Sequence, residues 1–312
     1  MILVTGGSGA MGSVLVRELH KRGELVRVCV APGDPFVSRI SDFVADVYYA
    51  DIVKKVGLWG ICKGIKTVYH LAAIIVSSDD REFDRVNAEG TRNIVEEAHW
   101  AGVQHFIYVS SASVVYPAPT PYSLSKRKAE EIVQHSGLNY TIIRPTLVYG
   151  ERGGLEFDLY LDYLQKYPIV PFIGAGRALK RPVYVGDIIT GLIALHGKKK
   201  TFKKTYNFSG AEVLSIRQFS RLCLKLLGKD RRPIVSLPVC ICKIIAKILA
   251  RVMKDPPLKW QVIAGITQDA NLDPSSAMED LGYCPAKVSE RLPKCFPRSS
   301  SNSSFRQFGS LV

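Results

Sequence analysis

The chain has 312 residues, of which 47% are hydrophobic and 22% charged, so it can bury a core, and a disordered or fibrous protein is excluded. Its net charge of +14 favours anionic ligands such as dinucleotides, sugar nucleotides or an acidic membrane surface. No recognisable nucleic-acid-binding module accompanies this charge, so nucleic acid is not expected as a partner. The longest apolar runs end well before the ~20 residues that a membrane span needs.

The cysteines and the N-terminus indicate a reducing compartment. The cysteines are scattered and form no C-x-x-C pair, which argues against a disulfide framework or a zinc site, so no metal is expected. The chain enters a strand directly after Met1, without the basic opening and small-residue cleavage site of a signal peptide. A cytoplasmic location is therefore expected.

The first half of the chain alternates short β-branched runs with segments of helical periodicity, as in a parallel sheet covered by helices on both faces. The predicted strands are Ile2–Thr5, Leu25–Val30, Asp46–Tyr49, Thr67–Leu71, Phe106–Ser110 and Tyr140–Arg144. The predicted helices are Met11–Arg22, Glu82–Ala101 and Tyr122–His135. The fold class is α/β, a Rossmann-like doubly wound parallel sheet.

A glycine-rich loop, Thr5-Gly6-Gly7-Ser8-Gly9-Ala10-Met11-Gly12, joins the first strand to the first helix. Glycines allow a tight turn and let backbone amides approach a pyrophosphate, and the N-terminus of the helix adds a positive dipole. A tight turn without a ligand is the alternative. The position at the start of a βαβ unit favours a dinucleotide site.

The second strand leaves the choice between NAD and NADP open. An acidic residue at its end would bind the ribose hydroxyl of NAD, and a basic residue nearby would bind the extra phosphate of NADP. Neither stands at the expected end, because Arg27 lies inside the strand and Asp34 comes slightly late.

Segments at three further strand or helix ends carry polar groups in a characteristic order. They are His70-Leu71-Ala72-Ala73, Val109-Ser110-Ser111-Ala112-Ser113 and Tyr122-Ser123-Leu124-Ser125-Lys126, with Val86-Asn87-Ala88-Glu89-Gly90-Thr91 and Arg144-Pro145-Thr146-Leu147-Val148-Tyr149-Gly150 between and after them. Together with the T-G-x-x-G-x-x-G loop, this set resembles the extended short-chain dehydrogenase/reductase family of the NAD-dependent epimerase/dehydratase type. Each segment alone could arise by chance, but their order and separation make a joint accident improbable.

The resemblance implies a catalytic triad of Ser111, Tyr122 and Lys126. Residues four apart in a helix share a face, so Tyr122 and Lys126 can meet one ligand. An ammonium close by would favour the phenolate of a tyrosine, whose ordinary pKa is ~10. Ser111 would hold the substrate oxygen near the phenol, with Ser113 as the alternative. His70 is interpreted as a packing residue rather than a catalyst.

The resemblance also implies a cofactor site and a homodimer. Asn87 is expected to act as a structural or cofactor-loop hydrogen-bonder rather than a proton relay. Asp51 would lie beside the adenine ring, with a helix N-cap as its alternative role. The implied cofactor-binding residues are Gly6, Ser8, Gly9, Ala10, Met11, Gly12, Asp51, Ile52, Leu71, Ala72, Ala73, Asn87, Tyr122, Lys126, Pro145 and Val148.

The chain divides into an NAD(P)-binding domain over 1–150, a smaller C-terminal substrate-binding lobe over 151–296 that is interleaved with it, and a polar flexible tail over 297–312. Glycine- and proline-rich loops begin near Gly150. In doubly wound folds the ligand crevice lies beyond the carboxyl ends of the strands, so the lobe would cover the substrate. The resemblance continues through Arg181–Ile188, where Asp187 is expected to be a helix N-cap.

The expected partner is a small-molecule substrate, and two substrate classes compete. A nucleoside-diphosphate sugar is favoured by basic residues in the lobe, where Arg177, Lys180 or Arg181 could hold a diphosphate. A free hydroxyl or carbonyl compound, steroid-like or flavonol-like, is the alternative. A protein that binds NAD(P) without turnover is a third hypothesis, which the intact Tyr122 and Lys126 pair disfavours.

The segment Val239 to Lys254 is predicted to be a helix, beginning after Pro238 and ending at Asp255-Pro256-Pro257. Its basic residues fall at four-residue spacing and isoleucines crowd the rest of its surface. Such a helix can lie on an anionic membrane as a peripheral contact. The alternative is an ordinary lobe helix, whose apolar face packs on the core while its lysines meet water.

Overall fold

The computed structural model describes residues 1–151, 155–253 and 260–296. Its thirteen described strands are β1 (Ile2–Thr5), β2 (Val26–Val30), β3 (Asp46–Tyr49), β4 (Thr67–His70), β5 (His105–Val109), β6 (Tyr140–Pro145), β7 (Val148–Tyr149), β8 (Val170–Ile173), β9 (Leu179–Lys180), β10 (Val183–Tyr184), β11 (Lys204–Phe208), β12 (Leu214–Ser215) and β13 (Ile234–Leu237). Seven of them form one parallel sheet in the order β11-β6-β5-β4-β1-β2-β3. The others pair in short two-stranded sheets, β10 with β7, β12 with β9 and β13 with β8.

Helices connect these strands. They are α1 (Ala10–Lys21), α2 (Asp80–Phe83), α3 (Gly90–Trp100), α4 (Pro121–Gln134), α5 (Leu155–Lys166), α6 (Val185–Ala194), α7 (Ile216–Leu226), α8 (Val239–Val252), α9 (Trp260–Thr267), α10 (Ser275–Leu281) and α11 (Val288–Arg291). A π-helical turn, Asp84–Glu89, joins α2 to α3. Short 3-10 turns add Lys55–Leu58 and Ala112–Val115, among others.

The sheet is covered on both faces. One core contains Leu15 and Leu19 of α1 together with Ile188 and Leu192 of α6. A second core contains buried residues of α3 and α4, packed against the other side of the same strands. The strand order reverses between β1 and β4, and the glycine-rich loop begins at that reversal. The predicted doubly wound fold is therefore confirmed, and its ligand crevice lies beyond the carboxyl ends of β1 and β4.

The six predicted strands and three predicted helices of the first half are all present within two residues of the predicted bounds. The predicted helix over Glu82–Ala101 is interrupted by the π-helical turn. The second half contributes to both parts of the molecule, because β11 pairs with β6 and α6 packs on α1. The proposed tail over 297–312 lies outside the described residues.

Asp187 is not the N-cap of α6, contrary to the prediction. The helix begins two residues earlier, at Val185, with Tyr184 in the cap position. The Asp187 carboxylate instead accepts a hydrogen bond from the backbone N–H of Ala286 at 2.9 Å. It thereby ties α6 to the chain that follows α10, a role that its position in the sequence does not reveal.

The helix predicted from Val239 is present as α8, with Pro238 as its N-cap and Val252 as its last residue. Its predicted stop at 255–257 lies outside the described part of the chain. The alternative in which the apolar face packs on the core is wrong for most of that face, because the buried side chains are Cys242 and Ala246 and the isoleucines are exposed. None of the described helices combines the length and apolar character needed to cross a membrane.

Candidate active site

The glycine-rich loop is tightly closed. Gly6 has a φ of +69°, and a Cβ at this position would lie 2.8 Å from the backbone nitrogen of Ala72. A Cβ on Gly12 would lie 2.1 Å from the carbonyl oxygen of Gly6, so no side chain fits there. A Cβ on Gly9 would meet only the Gly6 oxygen, at 3.3 Å. Gly9 therefore borders open space, whereas Gly6 and Gly12 are needed by the fold itself.

The N-terminus of α1 is free to receive an anion. Its N-cap residue Gly9 makes no side-chain hydrogen bond to the first amides, and the first turn contains no acidic residue. The leading amides of a helix have no intrahelical partner and carry the positive end of its dipole. A pyrophosphate fits these donors, which belong to Ala10, Met11 and Gly12.

Asp34 lies beside this loop, although it stands later than expected in the sequence. Its carboxylate accepts a hydrogen bond from the Ser8 hydroxyl at 2.5 Å and another from the backbone N–H of Phe36 at 2.8 Å. The turn after β2 thus carries the carboxylate back to the glycine-rich loop. A carboxylate at this position can accept hydrogen bonds from ribose hydroxyls.

The other predicted cofactor residues stand after the ends of neighbouring strands. Leu71, Ala72 and Ala73 follow β4, Pro145 ends β6, and Val148 begins β7. Asp51 follows β3 and accepts a hydrogen bond from the backbone N–H of Val53 at 3.0 Å. The alternative in which Asp51 caps a helix is wrong, because the next 3-10 turn begins at Lys55 with Lys54 as its cap. Ile52 is buried.

Tyr122 and Lys126 lie in the first two turns of α4. The helix begins with a capping box, in which Thr120 accepts from the Ser123 N–H and the Ser123 hydroxyl accepts from the Thr120 N–H. Pro121 follows at the first helical position. This sequence starts the helix sharply and so fixes where the Tyr122 side chain leaves it.

Two contacts hold α4 in place, one with the turn after β5 and one with the sheet. Arg127 donates through Nε to the carbonyl of Val114 at 3.0 Å, which ties the helix to the 3-10 turn after Ser111. Glu130, nearly fully buried, accepts from Nε and Nη2 of Arg144 at 2.9 and 2.5 Å. A bidentate pair of this kind fixes both position and rotation of the helix relative to β6.

Ser111 and Tyr122 lie together at the crevice. Burial, followed by the nearby Glu156 carboxylate, raises the pKa of Tyr122, whereas a hydrogen bond with Ser111 lowers it. The Ser111 hydroxyl also lies 2.9 Å from that of Ser113. Because the phenol titrates above its ordinary range, Tyr122 holds its proton at neutral pH and is suited to donate it.

Lys126 is buried and only 2% exposed. Its ammonium donates to the carbonyl of Val109 at 2.8 Å and lies 4.4 Å from the ring centre of Tyr108. Burial lowers the pKa of Lys126 to about 7, although the Glu130 carboxylate acts in the opposite direction. Lys126 was expected to lower the pKa of Tyr122. In the structure Ser111 lowers that pKa and Lys126 does not.

His70 and Asn87 both bond to other groups of the protein. His70 is fully buried between the hydroxyls of Thr5 and Thr91, at 2.6 and 2.9 Å, and burial lowers its pKa to about 3, so it stays neutral. Asn87 bonds both backbone polar groups of Ile74, accepting at 2.9 Å and donating at 3.0 Å. It therefore holds the loop after β4 in place.

The three basic residues considered for a diphosphate differ in their surroundings. Lys180 is buried and donates to the carbonyls of Gly265 and Gln268 at 2.9 and 2.6 Å. Arg181 donates to Asn271 at 2.7 Å. Arg177 is exposed, and within the described ranges no hydrogen bond or ion pair involves it.

Sequence reasoning missed four residues around this crevice. Asp34 was noticed but not assigned, and Glu130 and Glu156 gave no signal because their roles depend on contacts distant in sequence. Gln268 accepts from the Ala118 N–H at 2.5 Å and donates to the Ala118 carbonyl at 2.9 Å, which fixes the loop before Tyr122. Gln268 and Ala118 are 150 residues apart, so no local sequence pattern indicates their contact.

The fold is a Rossmann-like doubly wound sheet, the class of fold that binds dinucleotides. A family model described as the 3-beta hydroxysteroid dehydrogenase/isomerase family matches residues 3–238. The chain belongs to this family, and so to the extended short-chain dehydrogenases/reductases, as the motifs predicted. It is an NAD(P)-dependent enzyme, and the hypothesis of a protein without turnover is not supported.

The chain is also similar to individual proteins. It is 30% identical to the ceramide reductase of Caulobacter vibrioides over 194 residues, 62% of this chain and 60% of that protein. It is 25% identical to the UDP-glucose 4-epimerase of Vibrio cholerae over 319 aligned residues, 92% of this chain and 91% of the epimerase. The structure of a dTDP-glucose 4,6-dehydratase from Streptomyces venezuelae with NAD and TYD bound superposes with a TM-score of 0.77, at 20% identity, over 95% of each chain. That last likeness shows the fold alone.

Proposed function

We propose that the enzyme transfers a hydride between a nicotinamide dinucleotide and a carbinol or carbonyl carbon, with Tyr122, Ser111 and Lys126 as its catalytic residues. The observation that carries this proposal is that the hydrogen bond from Arg127 to Val114 holds the helix of Tyr122 and Lys126 against the turn that follows Ser111, beyond the carboxyl end of β5. The dinucleotide supplies or accepts the hydride. The protein therefore has to bind, orient and move one proton.

In the direction of reduction, the carbonyl carbon gains a hydride and its oxygen gains the proton of Tyr122, which yields the alcohol. Ser111 donates a hydrogen bond to the same oxygen and keeps it within reach of the phenol. Lys126 would hold a ribose hydroxyl of the dinucleotide through its ammonium, which in the structure donates to the carbonyl of Val109. In the direction of oxidation the same groups act in reverse order.

We infer that the cofactor is held by Gly6, Ser8, Gly9, Ala10, Met11, Gly12, Asp51, Ile52, Leu71, Ala72, Ala73, Tyr122, Lys126, Pro145 and Val148, and that Asn87 supports this site. The position of Asp34 beside Ser8 favours NAD over NADP. A carboxylate there accepts from the ribose 2′-hydroxyl and repels a 2′-phosphate. Asn87 would act on the cofactor indirectly, by fixing the loop that begins at Leu71.

For the substrate we propose a hydroxyl or carbonyl compound of largely apolar character, such as a steroid-like or ceramide-like lipid. The family match and the likeness to a ceramide reductase support this class. Lys180 and Arg181, which were expected to meet a diphosphate, are engaged by groups of the lobe itself. Because these two side chains already bond to the protein, the clustering of basic residues in the lobe is weaker support for a nucleotide substrate.

A nucleoside-diphosphate sugar is the second candidate. The exposed guanidinium of Arg177, for which no partner is found among the described residues, favours it, as does the nearly full-length likeness to a UDP-glucose 4-epimerase. Mass spectrometry of ligands released from the purified enzyme tests both classes together. Retained NAD with a uridine or thymidine diphosphate sugar would support the second candidate, whereas a released sterol or sphingoid lipid would support the first.

We also propose a homodimer, as the family resemblance implies. A shallow groove between the π-helical turn, α3 and α4 supports this proposal as a docking surface. Arg92 and Glu131 line the groove with charges of opposite sign, which two copies related by a twofold axis can pair, whereas Lys128 is paired with Asp84 of the same chain. Analytical ultracentrifugation tests it, with Arg92→Glu expected to shift the enzyme to monomers.

A further inference from the structure

The helix α8 has three distinct faces. Its core side is a narrow stripe, with Cys242 and Ala246 buried against Ile263 of α9. A second face consists of exposed isoleucines and a valine at spacings of three, four and seven residues. These are Ile241, Ile244, Ile245, Ile248 and Val252, of which Ile244 is 59% and Ile248 is 56% exposed. Soluble proteins rarely expose so many large aliphatic side chains together.

The third face is basic and borders the isoleucines. Lys243, Lys247 and Arg251 follow one another at four-residue spacing, one helical turn apart. The chain contains no acidic residue between Asp230 and Asp255. Positive charge in this region is therefore uncompensated along the sequence, and the isoleucine face has a cationic edge.

We propose that α8 is the docking surface of this enzyme for an anionic lipid membrane, in which the helix lies parallel to the surface. The isoleucine face would enter the boundary between headgroups and acyl chains, and the basic edge would meet the anionic headgroups. Within the basic edge, Lys247 and Arg251 lie closest to the isoleucine face, because each residue turns the helix by about 100°.

A second copy of the chain fits this face less well. Two such faces packed together would bring six cations to one interface with no acidic residue of α8 to oppose them. An anionic membrane offers an apolar interior to the isoleucine face and negatively charged headgroups to the lysines. Charge complementarity therefore favours a lipid surface.

The docking surface is joined to the active site by a short path. α8 packs on α9, and just after α9 the side chain of Gln268 bonds Ala118 while its carbonyl accepts from Lys180. Ala118 precedes Tyr122 by four residues, so the loop before the catalytic helix is anchored to the membrane-facing part of the lobe. Membrane docking itself does not depend on the proposed reaction.

The test is co-sedimentation of the full chain with phosphatidylcholine vesicles, with and without about one-third phosphatidylserine. The enzyme should pellet with the anionic vesicles at low salt and be released as salt rises, because exposed charges are screened. Failure to pellet with anionic vesicles at low salt would overturn the proposal. Dinucleotide binding, measured on the same samples, shows independently whether the protein and its cofactor site are intact.

Matched variants separate this face from a general effect of net charge. Lys247→Glu should weaken binding about fivefold or more, and the double variant Ile244→Ser, Ile248→Ser about tenfold. Val56→Ser and Lys199→Glu, at exposed positions outside α8, should leave it unchanged. Equal losses for Lys247→Glu and Lys199→Glu would overturn the assignment. So would concentration-dependent self-association that Ile248→Ser abolishes without any effect on vesicles.

Discussion

Replacing Glu130 with Gln should weaken the attachment of the catalytic helix to the sheet. The Glu130 side chain is 4% and the Arg144 side chain 22% exposed, and two hydrogen bonds join them. Removing one partner of a buried ion pair costs about 3–5 kcal/mol, but Gln keeps one acceptor and Arg144 reaches solvent. We therefore expect a loss of about 2–3 kcal/mol, which lowers the melting temperature by about 4–8 °C.

The matched control is Glu279→Gln, because Glu279 also lies in a helix, α10, and its side chain is exposed. Thermal unfolding followed by circular dichroism compares the two variants. The Glu130 variant should also lose the Lys126 proton at a lower pH, since Glu130 raises the pKa of Lys126. Equal melting temperatures for the two variants would refute the view that this pair anchors α4.

Three further predictions concern the cofactor loop and the acid. Gly9→Val should abolish dinucleotide binding in isothermal titration with a much smaller loss of melting temperature than Gly12→Ala, because the Cβ would lie 3.3 Å from the Gly6 carbonyl oxygen in the first variant and 2.1 Å from it in the second; normal NAD binding by Gly9→Val would contradict the loop assignment. Asp34→Asn should weaken NAD binding about tenfold and narrow the preference over NADP; an unchanged ratio of the two dissociation constants would count against Asp34. Glu156→Gln should shift the pH profile of alcohol oxidation to lower pH, because the Glu156 carboxylate raises the pKa of Tyr122; a shift to higher pH would reverse the assigned sign.

The sheet could be predicted from the sequence because its strands are short apolar runs separated by clear turn and helix signals. Strands such as β1 and β5 are buried on both sides and read as continuous β-branched or aromatic runs. The positions of Tyr122 and Lys126 followed from the same pattern, since a helix after the fifth strand places both at its first turns. Most strands and helices of the Rossmann half could therefore be predicted from local sequence.

The remaining features depend on tertiary contacts. Aspartate is a residue type that favours the N-cap, and this led to the prediction for Asp187. The helix starts earlier, at Val185, because Val185 and Ile188 enter the core beside α1. The partners of Glu130 and Lys180 come from other elements and leave no spacing to recognise. The outward isoleucines of α8 could not be distinguished by sequence from a buried face, because periodicity gives the width of an apolar face and not its direction.

The central claim is that Tyr122 supplies the transferable proton, and that the site binds the dinucleotide even when the Tyr122 hydroxyl is removed. The most direct measurement compares wild type and Tyr122→Phe for NADH binding by fluorescence titration. It also follows turnover of a panel of sterols, ceramide-like ketones and sugar nucleotides by nicotinamide absorbance. The variant should bind NADH as wild type does and lose at least about a hundredfold in turnover of any substrate that the wild type accepts. Full turnover by Tyr122→Phe would contradict the assignment of the acid, and absence of NADH binding by the wild type would contradict the site as a whole.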